Sequence, residues 1–252
     1  MTVYDTALLV GIGVLGGVWN AVAGGATLFT FPALMAVGLP PMVANATNFL
    51  ALLPSNAAAL PAYTRELRHV GRALLPLAVS SGFGASVGSV LLLHSDPGVF
   101  ERLIPALILM ATLLFAFGDA VRAKLLALAG GTRTGVVVFA GLFLASIYGG
   151  YFGAGLGIIL LAVAQILGYS SFPLANAIKN VLATSFSILS ILVFGLGGLI
   201  AWPHAFAMMA GSTVGGYLGG RLAQYANPRL LRGAVIVFGL VLSGVYAWRV
   251  FA

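Results

Sequence analysis

The chain alternates long apolar stretches with short polar interruptions, and those stretches set its architecture. Charge-free intervals run 6–64, 73–95, 103–118, 134–178, 180–220 and 233–248. A helix needs about 20 apolar residues to cross a bilayer, so the longer intervals hold two or three segments each, divided at Gly and Pro. The first half then holds segments at roughly 6–23, 27–38, 41–62, 71–94 and 99–120. The second holds 134–152, 156–168, 173–194, 203–221 and 229–251. At a rise of about 1.5 Å per residue the second segment of each set is too short to span. It is expected to be a half-helix, or one arm of a hairpin entering the membrane. The fold class is an all-α polytopic membrane protein with broken or half-helices.

The two sets are copies of one unit. Ala44-Asn45-Ala46 falls on Ala175-Asn176-Ala177 at a shift of 131 residues. At that shift Ala23-Gly24 also falls on Ala154-Gly155, Gly84 and Gly88 on Gly215 and Gly219, and Pro97 on Pro228. A shared register that includes Asn and Pro marks an internal duplication. The expected division is an N-terminal repeat over 1–122, a basic cytoplasmic linker over 123–133 and a C-terminal repeat over 134–252.

Charge orients the copies. The loop after the third segment carries Arg65, Arg68 and Arg72, whereas its equivalent from Gly195 to Trp202 is uncharged. The next loop reverses the bias: Asp96, Glu101 and Arg102 stand against Arg221, Arg229 and Arg232. Cytoplasmic loops are the basic ones, so equivalent loops are expected on opposite sides. An odd number of crossings per half gives that arrangement. The halves are predicted to be inverted, with both termini outside and the linker in the cytoplasm. Merging residues 6–38 into one kinked span would give a parallel duplication, which separates the arginine clusters and fits less well.

Composition agrees. Hydrophobic residues make up 61% of the 252 and charged residues 7%, against roughly 25% charged in soluble domains. The net charge of +7 sits in short clusters between apolar runs, which argues for cytoplasmic loops and lipid contact and against nucleic acid. Cysteine is absent, and His69, His94 and His204 are scattered, so neither a metal centre nor another cofactor is expected. Ala21-Val22-Ala23 resembles a signal-peptidase site. The leading residues carry Asp5 without Lys or Arg, and the segment belongs to the repeat, so it is expected to remain in the mature chain.

The duplicated motifs carry a family resemblance. Ala23-Gly24-Gly25-Ala26, Pro32, Gly38-Leu39-Pro40 and Ala44-Asn45-Ala46-Thr47-Asn48 resemble the first signature of the sulfite exporter TauE/SafE family. Residues Tyr148 to Gly157, followed by Ala175-Asn176-Ala177, resemble the second. The resemblance covers nearly the whole chain. It implies a transporter in the bacterial inner membrane that exports small anions such as sulfite, sulfoacetate or related organosulfonates.

The residues point to an anion pathway in their own right. Helices break at membrane depth only where the freed backbone faces protein or a wet cavity. A half-helix starting near Thr27 or Leu156 aims its N–H groups and positive dipole end inward, a ready anion site. Gly24, Gly25, Gly153 and Gly155 are therefore candidates for the pathway, with tight helix packing as the alternative. Gly84, Gly88, Gly215 and Gly219 fit the packing reading. The third segments carry a polar stripe, Asn45 and Asn48 (with Asn56) in one half and Asn176, Asn180 and Thr184 (with Ser187) in the other. Unpaired amides in lipid cost several kcal/mol, so the stripe faces inward, either lining a pathway or joining helices. Lys179 is the sole charge between Arg133 and Arg221. An intramembrane lysine is a counter-charge candidate; the alternative is that it snorkels to the cytoplasmic interface.

The expected function is anion transport by alternating access, with a small anion and membrane lipids as partners and a homo-oligomer possible. An importer of another small solute and a channel or accessory subunit are the competing readings. No nucleophile–base pair supports a membrane enzyme.

Overall fold

The computed structural model describes residues 1–22, 24–68, 70–129, 134–169, 171–222 and 228–251. Ala23, His69 and Arg133, named above, lie outside the described residues. The described residues form helices and no strand. The first half runs α1 (Val3–Val22), α2 (Thr27–Ala36), α3 (Pro41–Ala59), a short α4 (Thr64–Leu67), α5 (Leu75–Leu93), α6 (Pro97–Ala116) and α7 (Gly118–Ala129). The second runs α8 (Thr134–Tyr151), α9 (Leu156–Ile166), α10 (Phe172–Leu196), α11 (Trp202–Leu222) and α12 (Pro228–Phe251). The short segments expected at 27–38 and 156–168 are thus real half-helices, α2 and α9. The stretch read as the end of segment five and a linker is largely the helix α7.

Local signals place the boundaries. Proline opens or nearly opens α3, α5, α6 and α10, where its missing N–H costs nothing. Asp96 caps α6 by accepting from the Val99 amide at 3.0 Å, as N-cap carboxylates do. The two half-helices close alike: the Leu39 amide donates to Leu34, and the Tyr169 amide to Ala164. Four helices among the described residues are long and apolar enough to cross a membrane: Val3–Val22, Leu75–Leu93, Pro97–Ala116 and Phe172–Leu196.

Between halves the packing is reciprocal. α1 lies along α11, and α5 along α8, so the first helix of each half takes the fourth long segment of the other. Small residues make both contacts. Gly13 faces Met208 and Ser212, and Gly17 faces Ser212 and Gly216. Gly211, Gly215 and Gly219 sit under Val10, Val14 and Val18. On the other side Gly84 meets Phe143 and Ser146, while Gly88 meets Ile147 and Tyr151. In a membrane no hydrophobic drive distinguishes helix from lipid, so close backbone approach supplies the adhesion.

The same contacts give helix directions. Residues rise together along α1 and α11, and along α3 and α11, where Ser55 meets Gly216 and Ala59 meets Gly220. They also rise together along α5 and α8, and along α5 and α10, where Ser185 donates to Ala78 and Gly197 meets Leu93. Helices α1, α3 and α11 therefore run parallel, as do α5, α8 and α10. The two groups oppose each other: Tyr63 at the far end of the α3 region bonds Asn176 near the start of α10, while Thr47 and Phe49, in the first half of α3, meet Ala201 just beyond α10 and Phe194 near its end. α6 and α12 are antiparallel as well, with Pro105 against Ser243 and Thr112 against Gly239. It follows that α1 begins and α12 ends at one face. Arg65, Arg68, Lys124 and Arg221 gather at the opposite face.

Candidate functional site

The site is built from two chain breaks that meet. α1 stops at Val22 and the chain turns back into α2; α8 stops at Tyr151 and turns back into α9. Gly155, in the left-handed conformation (φ 78°), is the N-cap of α9. Gly24, at φ 70°, touches the other break: a Cβ there would lie 2.7 Å from the Gly157 Cα. Only glycine serves at Gly24, for both conformation and space. Gly24→Ala is expected to push the breaks apart at a cost of about 1–2 kcal/mol for the backbone alone. The expected result is a folded protein with transport cut at least tenfold; wild-type flux would show that the contact is dispensable.

A small cavity of about 50 Å³ lies at this meeting point. Gly24, Gly25 and Thr27 from the first break and Gly153, Leu156 and Gly157 from the second line it. Asn48 and Asn56 of α3, Lys179 and Ser187 of α10, and Asn20 of α1 add polar groups. Phe49, Phe152 and Phe186 form an aromatic wall. Both half-helices start here, so two sets of helix N-terminal amides and their dipole ends converge on the cavity. No carboxylate is among the lining residues.

Lys179 is the charged element. It is 1% exposed, and its Nζ donates to the carbonyls of Asn20 at 2.7 Å and Ala21 at 3.2 Å. These are carbonyls of the last turn of α1: Asn20 also accepts from the Gly24 amide at 3.1 Å, and Ala21 is held by side chains of α10. The side chain does not snorkel to an interface. It caps the interrupted helix while lining the cavity, and an amino group with three donors retains one for a ligand.

The predicted residues divide into two groups. Gly24, Gly25, Asn48, Gly153 and Lys179 line the cavity together. Asn45, Gly155, Asn176, Asn180 and Thr184 do not. Asn45 donates to the Tyr151 carbonyl at 3.0 Å. Asn176 donates to Ala21 at 3.0 Å and to the Tyr63 hydroxyl at 2.9 Å. Asn180 leans on the same Ala21 carbonyl, and Thr184 bonds back to the Asn180 carbonyl within its own helix. Gly155 packs on Ala111 of α6. Most of the amide stripe thus holds the ends of the broken helices, one shell outside the cavity.

Asn20, Thr27 and the aromatic wall were not read as site residues from sequence. Asn20 donates to Ser55 at 2.8 Å and to the Asn56 Oδ1 at 3.0 Å, tying α1 to α3 beside the cavity. A lone Asn four residues before Gly24 in an apolar segment was the available signal. Thr27 accepts from the Asn48 amide at 3.2 Å, and nothing in its spacing marks it. Phe49, Phe152 and Phe186 look like ordinary core aromatics in sequence.

Comparison with known proteins places this architecture. The chain is 31% identical over 245 residues to a probable membrane transporter protein of Haemophilus influenzae, covering 94% of this chain and 92% of that one. It is 29% identical over 243 residues to the probable membrane transporter protein YfcA of Escherichia coli K12, covering 92% and 86%. No solved structure matches it. The model of the family described as "Sulfite exporter TauE/SafE" matches residues 9–246, nearly the whole chain and both broken-helix motifs, and the protein belongs to that family.

Proposed function

We propose that this protein is a transporter that exports small anions, such as sulfite, sulfoacetate or related organosulfonates, across the bacterial inner membrane. The observation that carries the reading is the buried Lys179 amino group in a carboxylate-free cavity where two half-helix N-termini converge. Protonated, it gives the cavity one fixed positive charge, and helix N-termini favour the same sign of ligand. A small oxyanion fits that field, while Phe49, Phe152, Leu160 and Phe186 offer apolar surface to the carbon portion of a sulfonate.

The mechanism proposed is alternating access between two inverted halves. Its support is that equivalent helices point in opposite directions, α3 against α10 and α6 against α12. With the face bearing Arg65, Arg68, Lys124 and Arg221 in the cytoplasm, both termini lie outside. An anion leaving an inside-negative compartment gains about 2.3 kcal/mol per 100 mV, so uniport suffices for export and no catalytic residue is required.

Reconstitution tests this. In liposomes, sulfite or sulfoacetate should show saturable flux that an imposed potential accelerates or slows according to its sign. Taurine, a zwitterion without net charge, and sulfate serve as comparisons. Absence of protein-dependent flux of every anion offered would remove the substrate assignment.

A further inference from the structure

Helices α3 and α10 are equivalent in the two halves, and each lays an amide on the end of the other half's first helix. Asn176 donates to the Ala21 carbonyl and Asn45 to the Tyr151 carbonyl, both at 3.0 Å. Three residues further along, the equivalence fails. Lys179 crowns the α1 end, whereas its counterpart Asn48 donates to Thr27. The α8 end therefore receives the Asn45 amide, and the Ser89 hydroxyl on Gly150, but no amino group.

The same asymmetry appears among unpaired atoms. The Oδ1 atoms of Asn45, Asn48, Asn176 and Asn180 are buried without a hydrogen-bond partner. The second pair flanks Lys179. The first pair, on residues 0% and 2% exposed, lies three residues apart on one face of α3, and Asn45 holds the Tyr151 carbonyl at 3.0 Å. A helix C-terminus carries about half a negative charge, and a buried acceptor left alone keeps the full penalty of its desolvation. Oxygen ligands at the C-terminal end of an interrupted helix are the surroundings in which transporters hold alkali cations. The set is neutral amide and carbonyl oxygen, without the carboxylates that a divalent ion is usually given.

We propose that the first half binds a monovalent cation of sodium's size through Asn45 Oδ1, Asn48 Oδ1 and the Tyr151 carbonyl. The bound ion does at the α8 end what the Lys179 amino group does at the α1 end. This is a statement about cation binding and does not depend on which anion is carried.

Equilibrium binding of ²²Na⁺ to the purified, detergent-solubilised chain tests it, with choline chloride holding ionic strength and no anionic substrate present. Wild type should bind one ion per chain, saturably and displaceably by unlabelled Na⁺. Asn48→Lys places the second half's lysine at the equivalent position. It should weaken Na⁺ binding at least tenfold, while the protein in choline melts at or above the wild-type temperature in NaCl. Asn48→Leu, which supplies neither oxygen nor charge, should lose binding without that gain and covers the case in which the lysine variant does not fold. Absence of saturable binding by wild type, or unchanged affinity in either folded variant, would overturn the proposal and leave buried water as the partner of these amides. Because no substrate enters the assay, its result is separable from failure of anion flux.

Discussion

Lys179→Ala is expected to reduce potential-driven flux of the transported anion by about tenfold to a hundredfold. That range is what loss of a charge-assisted hydrogen bond, about 1.5–3 kcal/mol, produces. The side chain has two duties, so two further variants separate them. Lys179→Gln keeps amide donors near the Asn20 and Ala21 carbonyls but removes the charge, and it should transport as poorly as the alanine variant. Asn176→Ala deletes a cap on the same Ala21 carbonyl without touching the charge. It should cost stability, about 1 kcal/mol, and retain most of the flux. Flux measured in liposomes of matched protein content reads the first effect, and thermal unfolding in detergent reads the second. Wild-type transport by Lys179→Gln would remove the fixed charge from the mechanism and leave Lys179 as a helix cap alone.

A large stability effect is expected where two backbones touch. Gly11 and Gly17 both lie in α1, but only one of them faces α11. A Cβ on Gly17 would sit 2.9 Å from the Gly216 amide nitrogen and from the Ser212 Cα, whereas a Cβ on Gly11 meets nothing within 4 Å. Backbone cannot rotate aside as a side chain can, so Gly17→Ala has to separate the helices. Overpacking of this kind costs about 1–3 kcal/mol, and the reciprocal packing of α1 on α11 puts the cost on the contact that joins the halves. Gly11→Ala gains about 0.5–1 kcal/mol of helix propensity in the unfolded-state comparison. The pair should move the melting temperature in opposite directions. Equal behaviour of the two variants would show that the α1–α11 contact does not limit stability.

Several features were legible in the chain itself. The half-helices α2 and α9 followed from charge-free intervals punctuated by Gly24-Gly25 and Gly153 to Gly155, because an apolar run of ten to thirteen residues is too short to span. The register of Ala44-Asn45-Ala46 on Ala175-Asn176-Ala177 reads as a duplication. Lys179 stood out by energetic cost alone, as charges are rare in spans. The packing of Gly84, Gly88, Gly215 and Gly219 followed from their small-residue spacing.

What one-dimensional pattern left open was partnership across the halves. An amide stripe at helical spacing says that Asn45, Asn176 and Asn180 face inward. Whether they meet a ligand or the carbonyls of Tyr151 and Ala21 depends on which helix end lies opposite. Lys179 is read from sequence as either counter-charge or snorkelling side chain, and only the position of the α1 end beside it makes it a cap that also faces the cavity. Asn20, Thr27 and Phe186 reach the cavity through contacts between segments distant in sequence, which leave no local periodicity. Sequence determined the helices and their breaks, because each is set by burial and backbone chemistry within one segment. Tertiary structure decided which polar groups hold the fold and which face the cavity, because a buried donor takes whatever acceptor the packing of other helices brings to it.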